Sequence, residues 1–298
     1  MTEEKGKRST ESLLLAIGLA FLVIVILIIV VFPRDTSNNG GDEEKGPWRD
    51  LTNFKATVSG YEYFDYKEVK GTGELDDVSN PEKTVYILIG IQREMNSSEL
   101  VDMGKFLDRG GHIIIADDGT NANRITEYLY GRTGGNVEFT GNRYLVDKLF
   151  SESEGSDRGY EYNLSFIKGD TKSIFGTRYS LLVHSPNGLM SDGPGRPVIW
   201  TTKYLTVEDV NGNWQMDNDP PDRFLPYGNI SVEYDAGDGS VTYISSTGLF
   251  TDNVFNRYQN GDFVISYIYS LIPQGGDVLV DLSKQNTSTS PHNVKIPY

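Results

Sequence analysis

The sequence predicts an α/β domain that follows a single transmembrane helix. Two observations support this prediction. Residues 13–32 form an uncharged apolar segment that is long enough to cross a bilayer. Residues 84–116 follow the order strand, helix, strand, which is the order that builds a parallel sheet. Most of the 298-residue chain lies after the apolar segment, so we expect the function to reside in the α/β domain.

The apolar segment at residues 13–32 contains neither a charged residue nor a proline. Twenty helical residues span about 30 Å, the thickness of the hydrocarbon core. A signal peptide would have an apolar region of roughly 7–15 residues and a small-residue cleavage site, which the sequence lacks. Lys5, Lys7 and Arg8 precede the segment, so the positive-inside rule predicts a cytoplasmic tail at residues 1–12 and a domain outside the cell membrane. The lipid bilayer is therefore an expected partner.

Composition narrows the functional classes. The first 32 residues carry equal numbers of acidic and basic side chains, so the remainder carries the whole net charge of −15. Such a surface repels nucleic acid and favours cations. The chain has no cysteine, which excludes disulfides, zinc–thiolate sites and a thiol nucleophile. The three histidines, His112, His184 and His292, are widely separated, which argues against a histidine-based metal site or triad.

The elements of the domain are predicted in chain order. Residues 33–46 are polar and rich in Gly, Asn and Asp, as in a flexible linker, and the domain is assigned to residues 47–282. Its first part, residues 48–79, is interpreted as strands or a loose lead-in. Residues 84–91 are a continuous apolar, β-branched run, which is typical of a strand covered on both faces.

A helix and a second buried strand follow this first strand. Residues 96–99 supply an N-cap, and apolar residues between positions 100 and 107 recur at helical spacing. Gly110 and Gly111 end the helix, and residues 112–116 form the next apolar run. This order predicts a right-handed βαβ unit.

Later segments repeat this alternation with weaker patterns. Residues 120–132 favour a helix capped by Thr120 or Asn121, and residues 261–272 favour another helix. Strands are predicted at residues 179–184, 197–202, 240–246 and 277–282. The tail at residues 283–298 is rich in Ser, Thr and Asn, and we expect it to be mobile.

Three stretches resemble the prokaryotic domain-of-unknown-function family 4350, whose fold is like that of class I glutamine amidotransferases. They are the strand and helix at residues 84–109, FLDRGGHIIIADDGTNAN at 106–123, and GSVTYISSTGLFTDNVF at 239–255. The resemblance implies a flavodoxin-like, mostly parallel sheet. In such amidotransferases, the turn after the second strand presents a cysteine nucleophile. Here that turn is at residues 116–120, and the absence of cysteine excludes glutaminase and cysteine-peptidase chemistry.

Asp117 and Asp118 follow the second strand, where α/β folds place their ligands. Two interpretations are open. The carboxylates line a ligand-binding crevice, or they end the strand and cap the next helix.

An acidic loop at residues 209–222, DVNGNWQMDNDPPD, carries oxygen-bearing side chains at alternate positions, the spacing of a calcium loop. It departs from an EF-hand, because Trp214 stands where glycine is needed and Pro220 where glutamate is needed. The sequence predicts a structural Ca²⁺ site, and the alternative is an ordinary surface loop of Asx turns. The candidate ligands are Asp209, Asn211, Asn213, Gln215 through its carbonyl, Asp217 and Asp219.

Four Asn-x-Ser/Thr sequons are candidates for glycosylation outside the cell, although such tripeptides are also common by chance. They begin at Asn96, Asn163, Asn229 and Asn286.

Three functions are compatible with the sequence. The first is a non-catalytic, extracytoplasmic binding or scaffold protein whose partner is a membrane or envelope protein. The resemblance implies an accessory role in transporter-linked or AAA-ATPase-linked assemblies. The second is a carboxylate-dependent hydrolase of envelope glycans, in which Asp117 or Asp118 pairs with Glu99, Asp252 or another acid. The third is a structural envelope protein stabilised by calcium.

Overall fold

The computed structural model describes residues 50–147, 151–154, 161–203, 206–211 and 222–285. The chain divides into two compact units, Met1–Glu44 and Lys45–Tyr298, and the described residues belong to the second. Within these residues, no helix is both long and apolar enough to cross a bilayer. The predicted transmembrane segment at residues 13–32 lies outside them.

The described residues form helices and strands of ordinary length. The helices are α1 (Thr52–Ser59), α2 (Ser97–Asp108), α3 (Asn123–Thr133), α4 (Asp252–Phe255) and α5 (Asn260–Leu271). The strands are β1 (Phe64–Val69), β2 (Thr84–Ile89), β3 (His112–Ala116), β4 (Val137–Asp147), β5 (Ser151–Glu154), β6 (Glu161–Thr171), β7 (Ser180–His184), β8 (Asn187–Ser191), β9 (Arg196–Thr201), β10 (Thr206–Asp209), β11 (Arg223–Phe224), β12 (Asn229–Ala236), β13 (Gly239–Ile244) and β14 (Gly276–Asp281).

Parallel strands form the half of the main sheet that the sequence predicts. Their order is β1-β14-β2-β3-β13, and each neighbouring pair is parallel. Every residue of β2 is buried, as expected for a strand with helices on both faces. Helix α2 connects β2 to β3, so the predicted βαβ unit and the α/β fold class are confirmed.

The two faces of the parallel strands contribute to two separate hydrophobic cores. Along β2, Val85 and Ile87 enter the core that contains α1, α4 and α5, whereas Tyr86 and Leu88 enter the core that contains α2 and α3. This division follows from the two-residue period of a strand, which sends successive side chains to opposite faces.

Antiparallel strands extend the sheet beyond β13 in the order β12, β9, β6 and β5. Strand β7 also pairs with β6 and is antiparallel to it. The prediction of a mostly parallel sheet is therefore only partly right. A second sheet, β11-β10-β4-β8, is antiparallel. The sequence analysis did not predict this sheet, because its strands join segments that are distant in the chain and mix polar with apolar residues.

Two local predictions need correction. The lead-in at residues 48–79 contains a helix, α1, that the sequence patterns did not indicate. Helix α3 begins at Asn123, with Ala122 at the N-cap and no side-chain cap. The Asp117 carboxylate accepts the Ala122 N–H at 3.2 Å, and the Asn121 side chain donates to the Ile91 carbonyl at 2.8 Å. Neither Thr120 nor Asn121 therefore caps this helix.

The first residues of the predicted mobile tail are fixed to the domain. Lys284 is buried, and its ammonium group lies 2.6 Å from both carboxylate oxygens of Glu99 at the start of α2. The Gln285 side chain donates to the Ile89 carbonyl at 3.0 Å. Residues 283–285 therefore pack against the domain, and residues 286–298 lie outside the described part.

Candidate functional site at the carboxyl ends of the parallel strands

Asp117 lies directly after β3 and is 3% exposed. Its two carboxylate oxygens accept the backbone N–H groups of Ile91 and Ala122, both at 3.2 Å. Burial and the nearby charge of Asp118 raise the pKa of Asp117 to about 7, against the opposing effect of these backbone donors. The side chain joins the loop after β2 to the start of α3. The two interpretations of Asp117, as a ligand-binding residue or as a structural residue, stay predictions.

Asp118 points to a different set of partners and is exposed. Its carboxylate accepts the Thr247 N–H at 2.7 Å and also contacts the Thr247 hydroxyl. The Asp118 carbonyl accepts the side-chain N–H of Asn187 at 2.7 Å. Asp118 thus joins the carboxyl end of β3 to the loop after β13 and to the first residue of β8.

Asn187 contributes a buried amide whose oxygen has no hydrogen-bond partner among the described residues. Its backbone is bonded to Ser245 on both sides: its N–H donates to the Ser245 carbonyl at 3.1 Å, and its carbonyl accepts the Ser245 hydroxyl at 2.6 Å. An unpaired buried acceptor costs about 1–3 kcal/mol.

Tyr144 lies between the acidic loop and the group formed by Asp118, Asn187 and Thr247, which we call the strand-end cluster. In the second sheet, Tyr144 lies opposite Asn187 on one side and opposite Asp209 on the other. Residues paired in this way share a face of the sheet. Burial, and then the charges of Asp118 and Asp209, raise the pKa of the Tyr144 phenol. The two acidic regions that the sequence predicted separately therefore lie near one tyrosine.

The turn between β7 and β8 lies next to the strand-end cluster. The His184 carbonyl accepts the Ser246 hydroxyl at 2.9 Å, and the His184 ring lies 3.2 Å from the Ser185 hydroxyl. Burial lowers the pKa of His184 to about 4, so the ring is neutral at physiological pH. Ser185 has a φ of 42°, a left-handed conformation that is uncommon for a residue other than glycine.

The predicted calcium ligands are only partly within the described residues. Asp209 is buried at the end of β10, and Asn211 follows it closely, whereas Asn213, Gln215, Asp217 and Asp219 lie outside the described part. The Val210 N–H donates to the Asp222 carboxylate at 3.1 Å, which holds the two ends of the loop together. In the described ranges, no group of three or more His, Asp or Glu side chains is placed to hold a metal ion. Calcium binding stays a prediction.

The acids suggested as hydrolytic partners make contacts elsewhere. The Glu99 carboxylate accepts a hydrogen bond from the Lys284 ammonium group. It also accepts the Asn96 N–H at 2.8 Å, in a capping box at the start of α2. The Asp252 carboxylate accepts the Asn53 N–H at 2.7 Å. In the described residues, the hydrogen bonds of Glu99 and Asp252 therefore go to groups other than Asp117 and Asp118.

The sequons are distributed over different environments. Asn96 is exposed and its side chain accepts the Glu99 N–H at 3.1 Å, so it caps α2. Asn229 is half-buried, and its side chain donates to the Ser191 hydroxyl at 3.2 Å. Asn163 lies in β6, and Asn286 lies outside the described residues. Glycosylation stays a prediction for all four.

Several residues in or beside the strand-end cluster were not singled out from the sequence. Thr247 could have been found, because it follows a predicted strand and the carboxyl ends of parallel strands lie at one edge of a sheet. The sequence carries no comparable signal for Asn187 and Tyr144, since antiparallel pairing in the second sheet brings them to the strand-end cluster. His184 ends a predicted strand, but nothing in the sequence indicates that β7 lies next to this edge.

No family model and no curated protein matches the chain. Among solved structures, the mmIFT52 N-terminal domain is similar with a TM-score of 0.45 and 14% identity, over 67% of this chain and 79% of that chain. The exo-β-1,4-mannosidase Op5Man5 from Opitutaceae bacterium strain TAV5 has a TM-score of 0.32 and 10% identity, over 65% of this chain and 26% of that chain. A β-galactosidase from Bacillus circulans sp. alkalophilus has a TM-score of 0.33 and 11% identity, over 63% and 22% respectively. These likenesses are too distant to support an argument about function.

Proposed function

We propose that the chain is a single-pass membrane protein whose extracytoplasmic domain binds a ligand or partner protein without catalysis. The domain is proposed to be amidotransferase-like and related to family 4350, with its anchor at residues 13–32. The partner would be a membrane or envelope protein of an assembly such as a transporter-linked complex. The lack of cysteine and the apolar N-terminal segment support this proposal.

The observation that carries the proposal is the exposed side chain of Asp118 at the carboxyl end of β3, beside Asn187. Its carboxylate accepts hydrogen bonds, and it lies where α/β folds bind ligands. It suits a ligand that presents N–H or O–H donors or a positive charge, such as a lysine, arginine or backbone amide of a partner protein. The net charge of −15 favours such a basic surface and opposes nucleic acid.

A hydrolytic function is less well supported by the geometry. A general acid must reach its substrate within hydrogen-bond distance. Asp117 has the raised pKa of such an acid, but it is enclosed and accepts two backbone N–H groups. Asp118 is accessible, yet its carboxylate is held by Thr247. This arrangement favours recognition over proton transfer.

The proposal can be tested by co-purification from solubilised native membranes. The full-length chain is compared with Asp118→Asn, which preserves the shape and the acceptor for the Thr247 N–H but removes the charge. The matched control is Asp65→Asn, which changes an exposed acid on β1 far from this edge.

We expect a partner protein to co-purify with the wild type and with Asp65→Asn. Its recovery with Asp118→Asn should be reduced about tenfold or more, since a charged hydrogen bond contributes about 1.5–3 kcal/mol. Equal recovery with all three chains would contradict a binding site at Asp118. Hydrolysis of envelope glycans that Asp118→Asn abolishes would contradict the non-catalytic assignment.

A further inference from the structure

The carboxylate of Asp118 is partly desolvated but has no cation beside it. The residue is exposed to solvent, yet burial by the surrounding protein raises the pKa of Asp118 against the opposing hydrogen bonds from Thr247. A carboxylate that solvent reaches and that protein still desolvates lies in a recess and not on a convex surface. Within the described part of the chain, no Lys, Arg or His side chain forms an ion pair with it.

Two other desolvated carboxylates of the domain have cations of their own. Glu233 lies beside Lys172 and Arg196, and Glu99 lies beside Lys284. Burial would raise the pKa of each acid, but these cations lower it. Removing a carboxylate from water is unfavourable unless a cation or hydrogen-bond donors replace the water. A cation supplied by a ligand would stabilise Asp118 as Lys284 stabilises Glu99.

The hydrogen bonds from Thr247 leave a pair of acceptor positions on Asp118. One carboxylate oxygen accepts the Thr247 N–H at 2.7 Å, and the other contacts the Thr247 hydroxyl. An ionised carboxylate has about four acceptor positions, two on each oxygen, so one position stays open on each oxygen. Two parallel N–H donors fit such a pair, which is the geometry of a guanidinium group and not of an ammonium group.

Tyr144 supplies an aromatic ring beside this carboxylate. Strand β4 is fixed against the start of α3, because the Asn123 side chain bonds the N–H and the carbonyl of Phe139 at 2.7 and 3.0 Å. Further along β4, Tyr144 lies opposite Asn187, whose side chain donates to the Asp118 carbonyl. The Cβ atoms of such cross-strand neighbours are about 5 Å apart. Tyr144 is only partly buried, so it borders the recess.

We propose that a guanidinium group of the partner protein binds in this recess, with its N–H groups on the Asp118 carboxylate and its flat face on the Tyr144 ring. A guanidinium group is weakly hydrated and stacks on aromatic rings. The net charge of −15 attracts a cation to the domain. The inference rests on the proposed function, and it identifies the recognised residue of the partner as an arginine.

The probe is N-acetyl-L-arginine amide, which carries the guanidinium group without the rest of a partner protein. Its dissociation constant with the full-length chain in detergent is measured by saturation-transfer NMR. N-acetyl-L-lysine amide tests the need for a planar pair of donors. N-acetyl-L-citrulline amide, a neutral analogue of similar shape, tests the need for charge.

The chain variants are Asp118→Asn, Tyr144→Leu and Tyr144→Phe. The matched control is Tyr63→Leu, which removes an exposed ring just before β1, at the opposite end of the parallel strands.

We expect the wild type to bind the arginine probe about fivefold or more tightly than the lysine and citrulline probes. Asp118→Asn should weaken binding about tenfold, and Tyr144→Leu should weaken it about fivefold. Tyr144→Phe, which restores a ring, should recover the wild-type affinity, and Tyr63→Leu should leave it unchanged.

Equal affinity of the wild type for the arginine and citrulline probes would overturn the inference, whether or not Tyr144→Leu folds. Wild-type affinity in a Tyr144→Leu chain that keeps the wild-type melting temperature would overturn the contact with the ring. Co-purification separates this inference from the proposed function. A partner protein that is lost with Asp118→Asn and retained with Tyr144→Leu would contradict the guanidinium site and leave the proposed function intact. Binding of the arginine probe as expected, with no protein recovered, would keep the guanidinium site and contradict the partner protein.

Discussion

Asp117 places a carboxyl group among backbone donors inside the domain, and its raised pKa makes stability depend on pH. The pKa is about 7 in the folded chain and about 3.9 in an unfolded chain. Between these values the folded state binds the proton more tightly than the unfolded state. The contribution of Asp117 to the free energy of unfolding is therefore fully present below about pH 4 and is lost as pH rises to about 7.

This contribution predicts the behaviour of Asp117→Asn. Asparagine is neutral at all pH values, so the variant lacks the loss of stability between about pH 4.5 and pH 7.5. Relative to the wild type, it should gain about 3 kcal/mol over this range. The measurement is urea unfolding of both chains at several pH values. Parallel pH curves for the two chains would show that Asp117 does not titrate in this range.

Glu233 shows the opposite balance for a buried carboxylate. Burial alone would raise its pKa, but hydrogen bonds from Lys172 and Arg196 lower it below its usual value. The Tyr267 hydroxyl also donates to it at 2.8 Å. Burial therefore does not decide the state of an acid by itself, since the partners that the fold supplies determine the direction. Sequence reasoning could place Asp117 at a strand end, but it could not reveal these partners.

Among the elements, the parallel strands and their helices were predictable because each carries its own pattern. The run at β2 and the capping box of α2 are local features. Residues 179–184 and 240–246 also predicted β7 and β13 to within about two residues. By contrast, β4 and β10 acquire their places by pairing across about 60 residues of chain, and no local pattern encodes that pairing.

The segment after β14 stabilises the domain through Lys284, which is buried beside Glu99. Lys284→Ala leaves the carboxylate without its cation and should reduce the free energy of unfolding by roughly 2–4 kcal/mol. Lys67→Ala is the control, since Lys67 and Asp277 form a largely exposed ion pair at a similar distance of 2.7 Å, and such pairs contribute at most about 1 kcal/mol. Urea unfolding of both variants measures the difference. Similar losses in the two variants would contradict the assigned role of Lys284.

Over the whole molecule, Asp118 lies at the carboxyl ends of the parallel strands. The sequence predicted this end as the place of a ligand through the strand-end rule for α/β folds. It did not predict the contacts of Phe175 and Tyr63 with Tyr269, because these rings meet only through tertiary packing.

Calcium binding would act on the stability of the whole domain. A ligand that binds only the folded state raises the free energy of unfolding by about 2.7 kcal/mol at a hundredfold excess over its Kd. We expect millimolar Ca²⁺ to raise the melting temperature of the full-length chain in detergent. The rise should disappear in Asp209→Asn/Asp217→Asn and persist in Asp65→Asn. No rise with the wild type, or an equal rise in both variants, would exclude a calcium site in the acidic loop.

The orientation of the chain in the membrane follows from charge. Lys5, Lys7 and Arg8 precede the apolar segment, and retention of positive charge in the cytoplasm would place residues 33–298 outside. The variants Ser9→Cys and Thr120→Cys each carry a single cysteine. Intact cells that produce either variant are treated with a membrane-impermeant thiol reagent. The cells are chosen so that the reagent reaches the outer face of the cell membrane. Thr120→Cys should be labelled directly, and Ser9→Cys only after lysis. The reverse labelling would place the acidic domain in the cytoplasm, and recovery of the Thr120→Cys chain in the soluble fraction would contradict the anchor. In either case the partner of Asp118 would have to be sought in another compartment.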